Sequence, residues 1–341
     1  MNRMRMVGSA LAVALLLGEE VMRVKSYPAR SWDDAFTFES DSYRVRTNTS
    51  QDVAHYIGQL MDYAQKNYKE IFSYDDAVEK MDIYAYRTYQ EFATIGKAMP
   101  GSAGFFRYRG DVSEIHVAYI DKWGKTYPTQ ILLHEGTHQF VHQAIDFAVP
   151  AAYKDKIPDM SRLPSVPLWL NEGMATYIEN AYYDGRRLVV GEVNVNRLRG
   201  LQALIKRGQV IPMEKLFQVE GGEAFMAMHC YEPAWGLVYW FLHDKRSSVQ
   251  KKKRKLLSEL VDACKRGFME TPEKDFERLF LTGPNWQQQF WPKWRQHIRE
   301  QSIAKLRELT VKDNPFDKWE QVWHAWILDL NPHKPYGGLA D

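Results

Sequence analysis

The sequence is poor in cysteine and carries almost no net charge. Its 45 lysine and arginine residues nearly balance 43 aspartate and glutamate residues, which leaves a formal charge of +2. Proteins that bind nucleic acid or another polyanion usually carry a clear positive excess, so this balance argues against such a partner. The basic run between Lys245 and Lys255 is more typical of a solvated helix start than of a nucleic-acid or membrane patch.

Internal repeats, glycine-rich phosphate loops and low-complexity tracts are also missing. The apolar stretch near the N-terminus, from Met6 to Leu17, is too short to cross a bilayer. It follows Arg3 and Arg5 and therefore has the pattern of a secretory signal peptide. We expect residues 1–25 to form a signal peptide or a retained N-terminal membrane anchor. The protein is then exported to the periplasm, the cell surface or the medium.

Cys230 and Cys264 are the only two cysteines in the sequence. No cysteine lies directly after the N-terminal apolar stretch, so the sequence does not support a lipoprotein anchor. In an exported protein the two thiols could form a disulfide, and they could equally be two buried free thiols. The spacing of the two cysteines does not distinguish between these two alternatives.

The most informative motif is His134-Glu135-Gly136-Thr137-His138, within the run ILLHEGTHQFVHQAI. Two histidines four residues apart project from the same face of a helix, so both imidazoles can reach one cation. Glu135 lies one step round the helix, where it can act as general base on a water that the metal activates. A proline in the first turn and apolar residues around the motif predict the helix. The motif therefore predicts a hydrolytic Zn²⁺ site.

A catalytic zinc usually has three protein ligands, so a third ligand is expected downstream. Glu172 lies in the first turn of a second predicted helix, which begins after Pro167 in the segment PLWLNEGMATYIE. We predict Glu172 as the third ligand, with Asp146 and Glu179 as the alternatives. His142 extends the four-residue series, but each step turns about 40° and climbs about 6 Å. We expect His142 behind the ligands or in the core.

The segment WLNEG resembles the corresponding segment of the aminopeptidase N and leukotriene hydrolase family of gluzincins, which are peptidase MA-like zinc metallopeptidases. The resemblance implies that His134, His138 and Glu172 bind the zinc and that Glu135 is the base. The segment YEPAWGLVYWFL, which begins at Tyr231, is similar to the tyrosine-led helix of that family. The resemblance therefore implies that Tyr231 donates a hydrogen bond to the developing oxyanion.

The oxyanion donor has alternatives, and the resemblance is not complete. Tyr177, Tyr239 or His229 could take the role instead. The Gly-x-Met-x-Asn strand that receives a free amino terminus in those relatives has no counterpart between Met99 and Ile120. The gap between the second histidine and the third ligand is also longer than in those relatives. We therefore expect an endopeptidase rather than an aminopeptidase.

The expected fold is α+β and zincin-like, with a small mixed sheet and its helices followed by a mainly helical part that carries the zinc site. Alternating patterns predict strands at residues 36–38, 43–45, 81–86 and 114–120. Helical periodicity predicts helices at residues 51–72 and 89–95. The expected parts of the chain are residues 26–122 for the sheet, 123–305 for the helical zinc-site region, and 306–341 for a C-terminal aromatic helix and tail.

In gluzincins the strand before the zinc helix often lies at a sheet edge and pairs with an extended substrate. Residues 104–108 or 115–118 could do this by strand addition, and an interior strand is the alternative.

Tryptophan is concentrated in the C-terminal third of the chain. Two groups stand out: Trp286, Trp291 and Trp294, and then Phe316, Trp319, Trp323 and Trp326 at helical spacing. We interpret the second group as a buried stripe that packs the last helix onto the body of the protein. A carbohydrate-binding platform is the alternative.

The function that these patterns predict is zinc-dependent hydrolysis of peptide bonds in a peptide or protein substrate. Two other classes remain open. One is a non-catalytic zinc-bearing scaffold or cell-wall-binding protein, and the other is a hydrolase of a different bond, such as a non-protein amide. The sequence predicts neither a side-chain preference nor an oligomeric state.

Overall fold

The computed structural model describes residues 30–74, 76, 78–109, 112–119, 126–157, 160–184, 186–244, 247–310 and 316–331. The architecture is α+β: a small mixed sheet with its helices comes first, and a mainly helical region follows. One continuous hydrophobic cluster extends from Tyr43 in the sheet to Leu330 after the last helix. The sheet and the helical region therefore share a core.

Five strands form the main sheet, in the order β1-β2-β3-β5-β4. Their bounds are β1 Phe36–Glu39, β2 Tyr43–Thr47, β3 Met81–Tyr86, β4 Gly104–Arg109 and β5 Val112–Ala118. The outer pairs β1-β2 and β5-β4 are antiparallel, and the inner pairs β2-β3 and β3-β5 are parallel. Two further antiparallel pairs have two residues per strand: β6 Phe147–Ala148 with β7 Arg162–Leu163, and β8 Tyr182–Tyr183 with β9 Leu188–Val189.

The helices follow the sheet strands and then dominate the chain. Their bounds are α1 Gln51–Ile71, α2 Tyr89–Thr94, α3 Thr126–Phe140, α4 Leu168–Ile178, α5 Val195–Lys206, α6 Met213–Leu216, α7 Gly222–Ala227, α8 Tyr231–His243, α9 Ser247–Lys265, α10 Pro272–Phe280, α11 Trp286–Thr310 and α12 Phe316–Asp329. A π turn at Val141–Ile145 continues α3, and a 3₁₀ turn covers Ala151–Lys156.

Alternation of side chains along β2 shows why the sheet has one covered face. Tyr43, Val45 and Thr47 are buried, whereas Arg44 points to the opposite face and pairs with Asp82 of β3 at 2.6 Å. Successive side chains of a strand point to opposite faces, so the period of two places the apolar set on one side. Helix α1 packs against β2 and contributes its own buried face to the same core.

The predicted elements of the sheet region are confirmed, with small shifts at their ends. Strand β3 has the predicted bounds, and α1 begins at the predicted Gln51 and ends one residue before the predicted Phe72. Strand β5 begins at Val112 rather than at 114, because pairing of Arg109 with Val112 extends the β4-β5 hairpin towards its turn. Residue 120 lies outside the described residues.

Strand β4 lies at the edge of the sheet, and β5 lies between β3 and β4. Of the two segments that the sequence offered for substrate pairing, only residues 104–108 therefore have a free edge. Residues 115–118 pair with β3 on one side and with β4 on the other, so they have no free edge within the sheet.

The tryptophan stripe of the last helix packs against the body of the protein, as the helical spacing predicted, with Trp319 and Trp326 half-buried. Trp323 is fully buried, and Trp319 packs edge-on against Trp240 of α8 with ring centroids 5.4 Å apart. Trp326 contacts Tyr239 of the same helix at 5.9 Å. The stripe therefore fastens α12 to the body of the protein. Its burial argues against a carbohydrate platform.

The two cysteines are unpaired and buried. Of the two alternatives that the sequence left open, the structure has two free thiols at Cys230 and Cys264.

The predicted signal peptide or anchor at residues 1–25 lies outside the described residues, and the export that it implies stays a prediction. The predicted bounds of the three parts of the chain also stay predictions. Across the described ranges, no helix has both the length and the apolarity needed to cross a bilayer.

Candidate metal centre

Helix α3 carries the HExxH motif and lies very close to α1. A Cβ atom on Gly136 would lie 2.4 Å from Met61 Cε and 2.7 Å from the Tyr68 hydroxyl oxygen, so a larger residue would force these side chains to move. Glycine has a low helix propensity, and the close packing of α3 against α1 explains its presence at this position. Because residues two apart point about 200° away from each other on a helix, His134 and His138 face the side opposite α1.

Helix α4 brings the predicted third ligand to the same place. Its Gly173 lies against α8, since a Cβ atom there would be only 2.7 Å from the Ala234 carbonyl oxygen. Pro167 precedes the helix, and its carbonyl oxygen accepts hydrogen bonds from the Leu170 and Asn171 N–H groups. With one side of α4 pressed onto α8, Glu172 projects towards α3.

Three ligand atoms from His134, His138 and Glu172 converge within 4.8 Å of one another. The two Nε2 atoms are 3.3 Å apart, and Glu172 Oε2 lies 3.5 Å from Nε2 of His134 and 3.6 Å from Nε2 of His138. Ligands about 2.0–2.1 Å from a tetrahedral zinc are about 3.3–3.4 Å from each other, so this triangle has the size that zinc requires. Glu172 Oε2 is buried without a hydrogen-bond partner among the described residues. The three side chains therefore fit a metal ion.

The other ring nitrogen of each histidine is held by a second residue. Nδ1 of His134 lies 2.8 Å from Oε2 of Glu179, and Nδ1 of His138 lies 2.9 Å from Oδ1 of Asn171. Both partners are oxygen acceptors, so each Nδ1 carries the proton and each Nε2 keeps its lone pair for a metal. Carboxylate and amide partners of this kind orient metal-binding histidines and raise their basicity.

The electrostatics of the three ligands favour a cation. Burial acts to lower the pKa of His134, but the carboxylates of Glu172 and Glu179 raise it to about 10. Burial also acts to lower the pKa of His138, and Glu172 raises it above the ordinary value. Burial acts to raise the pKa of Glu172, but the two histidines hold it far below the usual range. Without a metal, protons take the place of the cation, so metal binding must release them.

A cavity of about 530 Å³ opens beside the ligands. His134 and Glu135 form one wall, and Tyr231 at the start of α8 forms another. Gly104, the first residue of the edge strand β4, also borders the cavity, and a Cβ atom there would be 3.7 Å from Glu135 Cγ. The predicted base, the predicted oxyanion donor and the strand edge therefore share one space next to the metal ligands.

Tyr231 is held as a neutral hydrogen-bond donor. Burial and the negative charge of Glu172 raise the pKa of its hydroxyl to about 12. The ring packs edge-on against Phe225 at 5.0 Å, and the Arg197 guanidinium lies 5.5 Å from its centroid. A phenol fixed in this way keeps its proton at neutral pH, as an oxyanion donor must.

The alternatives for these roles lie elsewhere. Tyr177 and Tyr239 are fully buried, with hydroxyl oxygens 2.9 Å from His243 Nε2 and 3.4 Å from the Gly191 carbonyl oxygen, respectively. His229 is exposed and does not border the cavity. Of these four candidates, only Tyr231 borders the cavity.

The two alternatives to Glu172 also have other partners. Asp146 accepts hydrogen bonds from the N–H groups of Ser165 and Val166 and lies 3.3 Å from His142, away from the ligand triangle. Glu179 contacts Nδ1 of His134 rather than the Nε2 atom that faces Glu172, so it lies outside the ligand triangle. His142 is buried behind the ligands, as expected from its rotation along the helix.

Sequence reasoning missed two residues of the site. Arg197 joins Glu179 at 3.1 Å and Glu232 at 3.1 Å, and it also borders the cavity. Asn171 orients His138. A signal existed for Asn171, because it directly precedes the predicted ligand Glu172 in the WLNEG segment. Glu179 was expected only as an alternative ligand. No sequence signal marks Arg197, because α5 reaches the site only through tertiary packing.

Comparison with known proteins gives one partial match to a family model and no activity. The model of a family described as "Protein of unknown function (DUF1570)" matches residues 129–259, which is less than half of the chain. The three ligands, Glu135 and Tyr231 all lie inside this segment. A search of curated proteins gives no match.

Proposed function

We propose that the protein is a zinc-dependent hydrolase of peptide bonds with a zincin-like catalytic region. The observation that carries the proposal is the ligand triangle with its unpartnered Glu172 oxygen. Two neutral imidazoles and one carboxylate leave one position of a tetrahedral zinc free, which is the arrangement of catalytic rather than structural zinc sites. When bound, zinc would supply the Lewis acidity that makes a water acidic and polarises a carbonyl group.

The remaining chemistry belongs to residues of the chain. Glu135 borders the cavity and takes the proton of the attacking water, which it then delivers to the leaving nitrogen. Tyr231 donates its hydroxyl hydrogen to the oxyanion that forms at the carbonyl carbon. A hydrolase needs both a proton carrier and an oxyanion donor, and their presence in one cavity favours catalysis over a purely structural zinc.

The substrate class follows from the edge strand. The free edge of β4 begins at Gly104, next to Glu135, so an extended chain can add to the sheet with its backbone beside the base. Backbone pairing of this kind recognises a polypeptide irrespective of its sequence. We therefore propose a peptide or an unfolded protein segment as substrate, with cleavage inside the chain.

The test is digestion of an unfolded protein mixture by the zinc-loaded protein, with products read by mass spectrometry. We expect new internal termini from the wild type and about 10⁴-fold slower cleavage by Glu135→Gln, because the general base is lost. The variant should keep its zinc. Glu308→Gln, at an exposed glutamate of α11, is the matched control and should cleave at the wild-type rate. No cleavage by the zinc-loaded wild type, or equal cleavage by Glu135→Gln, would contradict the proposal.

A further inference from the structure

A second cavity, of about 410 Å³, lies against the start of α4. Its walls are mostly apolar and come from distant parts of the chain. We call it the tryptophan pocket and define it by six wall residues: Val166, Leu168, Phe217, Trp291, Trp294 and Ile298. This volume lies within the range of small-molecule and side-chain binding sites, and the mixture of apolar walls with a few polar groups is typical of them.

Two residues that border the tryptophan pocket belong to elements that also form the metal centre. Asn171 borders the pocket, and the same side chain orients the zinc ligand His138 at 2.9 Å. Tyr108 of the edge strand β4 also borders it, whereas Gly104 of that strand borders the metal cavity. Four strand residues span about 13 Å, so a polypeptide paired with β4 passes from one cavity to the other within a few residues.

One wall residue of the pocket, Trp294, is held in place on two sides. Trp294 is buried, its indole N–H donates a hydrogen bond of 2.8 Å to the Pro164 carbonyl oxygen, and its ring packs edge-on against Phe280 at 5.2 Å. Its side chain therefore needs no rearrangement before a ligand enters. Such a preformed site spends little free energy on ordering when it binds.

The rim of the pocket carries positive charge. Arg299 pairs with Glu220 at 3.1 Å, so its charge is compensated. Arg295 is exposed, and within the described ranges no carboxylate forms an ion pair with it. One uncompensated guanidinium at the rim complements a carboxylate on whatever enters the pocket.

We propose that the tryptophan pocket selects the substrate: it receives an aromatic side chain of a peptide lying on β4, and Arg295 pairs with an acidic residue next to that side chain. The proposal rests on the proposed function for the peptide at the metal centre. The aromatic walls supply offset and edge contacts that an aliphatic side chain cannot use fully. Burial of the aromatic group is the main effect, since an exposed ion pair adds little.

Binding to an inactive protein tests the pocket without requiring hydrolysis. The probe is a set of labelled ten-residue Gly/Ser peptides, each with one phenylalanine at a different position, bound to zinc-loaded Glu135→Gln and read by fluorescence anisotropy. We expect one position to tighten binding by about 30-fold over the all-Gly/Ser peptide, the effect of burying one large apolar side chain. If no position tightens binding, the pocket does not select substrates.

Variants of the wall localise the effect. Val219→Trp fills the pocket from a half-buried loop position and should abolish the preference for phenylalanine. Val322→Trp, the same change at an exposed site on α12, should retain it. Trp291→Ala removes a half-buried wall and should weaken the preference even if Val219→Trp folds poorly. A preference that survives both Val219→Trp and Trp291→Ala would place the aromatic side chain elsewhere.

The charge at the rim has its own test. Aspartate placed beside the selected phenylalanine, on one of its two sides, should tighten binding by about 2- to 5-fold at low salt. Arg295→Ala should remove this gain, and Arg266→Ala, at an exposed arginine that does not border the pocket, should keep it. A gain that persists in Arg295→Ala would overturn the role of Arg295. Failure of hydrolysis by the wild type, by contrast, would overturn the proposed function and leave these binding results standing.

Discussion

Two clusters of histidine and carboxylate lie within a few turns of each other, and they differ in what their oxygen atoms contact. In the first, Glu172 Oε2 is buried between two histidine nitrogens and has no hydrogen-bond partner among the described residues. In the second, Asp146 Oδ1 accepts hydrogen bonds from the backbone N–H groups of Ser165 and Val166, and Oδ2 faces His142. In the first cluster one carboxylate oxygen is left for a ligand, whereas in the second both carboxylate oxygens are engaged.

The two clusters also differ in their access to solvent. The first borders the cavity that contains Glu135 and Tyr231. The second is closed, because Tyr108 stacks on the ring of His142 with centroids 4.2 Å apart and both His142 and Asp146 are buried. Residue types alone do not distinguish a candidate metal centre from a structural histidine–carboxylate pair. An unpartnered carboxylate oxygen and an adjoining cavity make that distinction.

The largest effect in this comparison is expected on peptide turnover, at the cluster that borders the cavity. Tyr231→Phe should lower peptide turnover by about 10²- to 10³-fold, the loss that follows removal of one oxyanion donor. Zinc content should not change, because the hydroxyl is not a ligand. The matched control is Tyr182→Phe at an exposed tyrosine. Steady-state kinetics with one cleaved peptide gives the answer, and wild-type turnover by Tyr231→Phe would show that the donor lies elsewhere.

A substitution in the closed cluster of His142 and Asp146 should lower the stability of the protein and leave metal binding unchanged. Asp146→Ala leaves two buried backbone N–H groups without acceptors, so we expect a loss of about 3 kcal/mol in the free energy of unfolding. Urea unfolding of the zinc-loaded protein measures the loss. At low temperature the folded variant should still bind one zinc. Loss of zinc from a folded Asp146→Ala protein would mean that the two clusters are not independent.

A smaller effect, on zinc affinity, is expected at Glu179, which contacts the ligand His134. Glu179→Gln removes the charge behind His134 and should weaken zinc binding by about 10- to 100-fold, the usual result of changing such a partner. A competition titration with a fluorescent chelator measures the affinity, and Glu308→Gln again serves as the control. Unchanged affinity would mean that Glu179 serves only as a partner of Arg197.

The smallest effect is the pH dependence. In the metal-free protein the pKa of His134 is raised to about 10, so its charge stabilises the fold below the unfolded pKa of about 6.5. This stabilisation is lost as the pH rises through about 10. Metal-free protein should therefore lose thermal stability between pH 7 and pH 10 relative to the zinc-loaded form.

Zinc binding at pH 7 should also release about one to two protons, because the metal replaces those on the histidines. Calorimetry in two buffers of different ionisation enthalpy counts them. Binding without proton release would contradict the raised pKa values of His134 and His138.

The sequence predicted those parts of the site that depend on local geometry. His134 and His138 share a helix face by spacing alone, and the WLNEG segment marked Glu172. The secondary structure of the sheet region was also predictable, because β2 and α1 show clear periodicity. In each case the prediction depends only on residues that are close together in the sequence.

The remaining features depend on tertiary packing, which no short pattern encodes. Arg197 reaches Glu179 from α5, and the tryptophan pocket combines α4 with α11. The place of β4 at the sheet edge follows from strand order rather than from its residues. The glycine at position 136 is explained by the close approach of Met61 and Tyr68 from α1.

The most direct test of the account is the zinc content of the purified wild type and of Glu172→Ala, measured by elemental analysis after dialysis against a weak chelator. We predict one zinc per wild-type chain, held by His134, His138 and Glu172, and none in the variant, because two histidines alone bind zinc far more weakly than three ligands. A folded wild type without zinc, or a Glu172→Ala variant that retains zinc with wild-type affinity, would contradict the account.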